Sequence, residues 1–217
     1  MFSLLIAGVI VWLLIVRQLT AKSWESHGRF SDVAEINLPP ARVGLWVFLA
    51  VVTSLFGLFI TAYSMRMRHG SDGIHYALPR ILWVNTLMLM IGSLAFETAR
   101  RALHNGQLRV LKFRMVAAGL FTCAFLAGQL VAWQQFSVSC RASGQLLASS
   151  PAAAFFILIT AVHGLHLLGG LWVWGRTTAR LAGGAEIIDV HQSVELCAVY
   201  WHYLLLLWIV LFTVLSN

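Results

Sequence analysis

The chain has 217 residues, 59% of them hydrophobic and 11% charged, whereas a soluble domain carries about 25% charged residues. Its mean hydropathy is +0.81, and no polar stretch is long enough to build a separate soluble core. The net charge of +7 does not mark a nucleic-acid binder: the basic residues sit in short stretches between apolar runs, the pattern of topology signals and anionic-lipid contacts.

Six apolar segments, at about 2–16, 43–63, 81–98, 115–136, 151–174 and 194–215, predict an all-α polytopic membrane bundle of six transmembrane helices. The first is short for a span. No positive charge precedes it, and residues 17–22 lack a small-x-small cleavage site, so it reads as a retained helix rather than a signal peptide. A linker of mixed charge follows and ends in Pro39-Pro40, a pair that favours extended chain just before the next helix. The expected division is therefore 1–41, an N-terminal transmembrane helix with a cytoplasmic linker, and 42–217, a five-helix core.

The third segment ends in Glu97, with Arg100 and Arg101 three and four residues on. That spacing predicts an interfacial ion pair or lipid-headgroup contacts. The fourth carries Gln129, Gln134 and Gln135, of which Gln129 is deepest and is expected to bond across helices. The nine tryptophans are expected mostly near span ends, as an aromatic belt. Cys123, Cys140 and Cys197 show neither C-x-x-C nor zinc-finger spacing, so neither disulfide nor metal is expected there.

The fifth segment holds His163 and His166, about 60° apart around a helix axis. The sixth holds Glu195 and His202, two turns apart on one face. His163, His166 and His202 make a three-histidine metal set on paper, and proton transfer is a second reading. Polar side chains hydrogen-bonded between helices are the commoner arrangement in membranes. The expectation is that the last two helices are adjacent and that His163, His166, Glu195 and His202 form one polar seam between them. No Rossmann glycines, P-loop, nucleophile elbow, heme-attachment motif or catalytic carboxylate pair is present. No catalytic residue and no metal ligand are assigned.

If all six segments cross, eleven of the fifteen Lys and Arg residues fall on one side and four on the other. The positive-inside rule makes the richer side cytoplasmic and places both termini outside.

The strings His163-Gly164-Leu165-His166 and Glu195…Tyr200-Trp201-His202-Tyr203…Trp208 resemble subunit III of the heme–copper terminal oxidases, in its short bacterial form. Weaker likenesses run through Gly44–Leu49, Leu82–Leu87 and Gly128–Trp133. The resemblance implies a subunit of a complex in the bacterial inner membrane, with no cofactor of its own. Heme and copper would lie on partner subunits I and II, structural phospholipids would fill a cleft between the helices, and no nucleic acid would be bound. The role implied is assembly, lipid binding and sustained proton uptake during oxygen reduction. The family often has carboxylates where this chain has Val52, Gln129, Ala132 and the run Leu204–Leu207, which puts a proton-antenna role in doubt. Two other readings remain: a stand-alone transporter, and a subunit III-like component of a quinol oxidase or nitric oxide reductase.

Overall fold

A computed structural model describes residues 40–69, 80–142, 151–184 and 187–216. The expected first span at 2–16, and the linker up to Pro39, lie outside the described residues. The described chain forms five helices: α1 (Pro40–His69), α2 (Ile81–His104), α3 (Leu108–Ala142), α4 (Pro151–Ala182) and α5 (Ile187–Ser216). All five contain stretches long and apolar enough to cross a membrane.

The helices run past the apolar segments that announce them. At 35 residues, α3 is about 52 Å long against a hydrocarbon core of about 30 Å. Residues 99–114 were expected to connect two spans, yet nearly all of them are helical. Helix formation does not stop where hydrophobicity stops, because charged residues such as Arg101 and Lys112 are good helix formers. Pro40 is likewise the first residue of α1 rather than extended chain; proline suits that position because its missing N–H would have no helical partner.

The turn from α2 to α3 is tight for a specific reason. Gly106 takes φ +70°, which only glycine adopts without strain. This lets Gly106 N–H donate to Leu103 O (3.1 Å) and Gln107 N–H donate to Ala102 O (2.9 Å). Those two bonds are a Schellman cap, which satisfies the last carbonyls of α2 and reverses the chain.

Cross-helix contacts fix the topology. Asn85 meets Gln129, Trp133 meets Thr160, and Trp208 meets Thr86, so α2–α5 form an up–down–up–down bundle. Helix α1 lies outside this four-helix core and packs against α4 and α5. Only Leu49, Val52 and Phe56 of its apolar residues are buried. Small residues allow the close approaches. A Cβ on Gly119 would overlap the Trp174 indole, and one on Gly128 would overlap the Asn85 amide.

The core is aromatic. Phe96 packs on Trp201 with ring centroids 4.3 Å apart, and Phe125 meets Trp208 edge-on at 5.0 Å. Trp201 and Trp208 are each only 1% exposed, so these two tryptophans are not belt residues. Their indole N–H groups donate to Thr122 (2.9 Å) and Thr86 (3.0 Å). A buried indole needs such an acceptor, since an unpaired donor in the interior is costly. Trp46, Trp83 and Trp172 do face outward.

Candidate functional site

The polar side chains of α4 and α5 do not form one seam. The two helices pack against each other, but the four residues expected in the seam reach four separate places. His163 points into the core, where it stacks on Trp208 (5.2 Å) and meets Phe125 and Phe56 edge-on. Neither ring nitrogen has a hydrogen-bond partner. His166, a turn further, faces α1: its ring lies 5.6 Å from that of Phe56 and 6.1 Å from that of Phe48. Its Nδ1–H donates to the Val162 carbonyl at 2.7 Å. The 60° between these positions is enough to send one ring inward and the other toward α1.

His202 turns to α2. Its Nδ1 shares a hydrogen bond with Ser93 Oγ, and its Nε2 lies 3.4 Å from Glu97 Oε2. A carboxylate oxygen can only accept, so in the second contact the Nε2–H is the donor. Glu97 also accepts twice from Arg100, at 3.0 Å each, and once from Arg101 at 3.2 Å. One carboxylate therefore gathers two guanidinium groups of its own helix and one imidazole of α5. The three histidines considered as a metal set do not converge.

Glu195 is the centre of a second cluster. Its Oε2 accepts from the Arg42 guanidinium at the start of α1. Its Oε1 lies 3.5 Å from His104 Nε2, at the end of α2, and 3.9 Å from His191 Nδ1, one turn back on α5. The His104 and His191 rings are 5.3 Å apart, edge to face. Among the described residues, this is the one group of three His, Cys, Asp or Glu whose ligand atoms all lie within 4.8 Å of one another. The cluster ties α1, α2 and α5 together at the end of the bundle that carries Arg100 and Arg101.

Arg42, His104, His191 and Ser93 are absent from the sequence expectation. His191 could have been found from its i, i+4 spacing to Glu195. The others lie 91 or more positions from the residue they meet, and no local pattern links them. Gln129, by contrast, does bond across helices, its Oε1 accepting from Asn85 Nδ2 at 3.3 Å. Of the sites where the resemblance suggested carboxylates, Val52, Gln129 and Ala132 are buried, while the run Leu204–Leu207 has Leu204 and Leu207 buried and Leu206 exposed.

Beside the Glu195 cluster opens a cleft of about 530 Å³ between α1, α4 and α5, lined by Leu45, Phe48, Leu165, Val173, Leu196 and Tyr200 among others. Tyr200 closes one wall by donating its hydroxyl to the His166 carbonyl (2.9 Å). Helix α1 buries only Leu49, Val52 and Phe56 fully against the core, with the Thr53–Tyr203 hydrogen bond (2.8 Å) beside them, and the cleft opens alongside this stripe.

No family model matches the chain. It is similar to cytochrome c oxidase subunit 3 of Thermostichus vulcanus, with 27% identity over 82% of this chain and 87% of that protein. Cytochrome c oxidase subunit 3 of Synechocystis is 28% identical over 87% of this chain and 78% of its own length. Quinol oxidase subunit 3 of Bacillus subtilis is 23% identical over 86% of this chain and 93% of its own. Taken with five membrane-length helices, these likenesses along most of the chain support its assignment to the subunit III family of heme–copper terminal oxidases.

Proposed function

We infer that the chain acts as the accessory subunit III of a respiratory heme–copper oxidase, while electron transfer and oxygen reduction take place on partner subunits. The observation that carries this is similarity to oxidase subunit 3 proteins over more than four fifths of the chain. In this reading the chain is a six-span protein of the bacterial inner membrane with both termini periplasmic, holds no cofactor of its own, and packs beside subunits I and II. The bias of basic residues toward one side supports the orientation.

The cleft between α1, α4 and α5 is the place for structural phospholipid. Its volume is in the range of small-ligand sites, which are about 300–1,000 Å³, and its lining is almost wholly apolar. Arg42, next in the chain to the lining residue Ala41, can meet a headgroup phosphate, and Glu97, Arg100 and Arg101 form a second charged patch at the same end of the bundle. The clusters around Glu97 and Glu195 serve assembly: they hold α1, α2 and α5 in register so that the cleft keeps its shape. Support for sustained proton uptake would then come from this packing rather than from buried acids.

A stand-alone transporter would need a hydrated polar path. The polar side chains here go to separate places, and His163 sits among aromatic rings. The relatives include cytochrome c and quinol oxidase subunits, so the electron donor is decided by the partners. The test is to tag the chain in its native membrane, purify it in mild detergent and identify what accompanies it. Co-purification of heme–copper catalytic subunits is the expected result. Recovery of the chain alone, or with subunits lacking heme and copper, refutes the reading.

A further inference from the structure

We propose that His104, His191 and Glu195 form a surface binding site for one divalent transition-metal ion, of the zinc type, that pins the end of α2 to the start of α5. The donors are right for it: two imidazole nitrogens and one carboxylate oxygen are a recurring zinc set that leaves a fourth position for water. They arrive from two helices, and their ligand atoms already lie within 4.8 Å of one another. In a tetrahedral site with bonds of about 2.0–2.1 Å, ligand atoms stand about 3.3 Å apart. The His104–Glu195 and His191–Glu195 separations are 3.5 and 3.9 Å, so closure needs about an ångström of side-chain movement.

That movement is available. The His104 and His191 side chains are 52% and 41% exposed, while the Glu195 side chain is 16% exposed. The carboxylate is the fixed point and the imidazoles are the adjustable arms. Arg42 holds the other carboxylate oxygen, Oε2. Ligating carboxylates are commonly steadied by such an outer hydrogen bond. The exposed imidazoles also give an ion direct access from water, so a bound metal would exchange rather than be locked in. His202, held by Ser93 and Glu97, takes no part.

The test is zinc titration of the full chain, purified in detergent, against a competing chromogenic chelator. Wild type is compared with His104→Gln and His191→Gln, each checked for helical content by circular dichroism. The expected result is one site in the wild type that each substitution weakens at least tenfold. Equal stoichiometry and affinity in all three proteins overturns the proposal. Should a variant fold poorly, X-ray absorption at the zinc edge of the wild type decides alone. Two imidazoles and light oxygen ligands are expected; a sulfur ligand, or a shell with no imidazole, overturns it.

Discussion

Replacing Glu195 by Gln removes one charge and almost no volume, so it isolates what the carboxylate does for α1. Helix α1 meets the rest of the bundle through three buried apolar residues, partly buried neighbours such as Leu45, Phe59 and Tyr63, the Thr53–Tyr203 hydrogen bond and the Arg42–Glu195 ion pair. The ion pair is the charged contact at the helix start. The Arg42 side chain is 43% exposed and that of Glu195 16%, so the pair lies between the surface and buried limits. An exposed pair contributes about 0.2–1 kcal/mol; with Glu195 mostly sheltered, about 1 kcal/mol is reasonable. A loss of that size raises the open population about fivefold. Amide hydrogen exchange of the assembled protein reads this directly. Exchange in the first two turns of α1 should quicken about fivefold, while the amides of the α2–α3 interface stay unchanged, because local opening does not require global opening. Arg42→Gln should give the same effect, and the double variant should add little to either single change. Unchanged exchange in α1, or an equal rise in all five helices, would refute the idea that this ion pair is what seats α1.

Other expectations follow from the interior. Thr122→Val strands the Trp201 indole N–H, which has lost its acceptor in a dry core; a fall of about 1–3 kcal/mol is expected, read as a lower midpoint in SDS unfolding. Gly119→Leu puts a side chain where the Trp174 indole lies, so α3 and α4 must separate; loss of the chain from membranes or from its complex is the expected outcome, and normal accumulation would contradict this packing. Ser93→Ala removes one of the two partners of His202 but leaves Glu97. Its cost should be close to the average of about 0.6 kcal/mol for hydrogen bonds between membrane helices, seen as a small shift in the same unfolding assay.

The sequence by itself determined the class of protein, five of the helices and the family strings. Each depends on local information: apolar runs of membrane length, glycine and proline at chain reversals, and short motifs. It also determined the Glu97–Arg100–Arg101 group, because partners three and four residues apart on one helix must meet. Tertiary structure alone decided where the other polar side chains point. Whether Glu195 meets His166 or Arg42 depends on how α1, α4 and α5 are rotated about their axes, and sequence spacing within one helix carries no record of that rotation. The same holds for the tryptophans. A belt residue and a core residue look alike along the chain, and inside the bundle the Trp201 and Trp208 N–H groups are met by Thr122 and Thr86 on other helices. His191 and Glu195 share a helix face whatever the fold, but only the packing of α2 against α5 brings His104 to them. Backbone hydrogen bonds satisfied within each segment fix the helices one at a time, and side-chain meetings between segments are settled last, by packing.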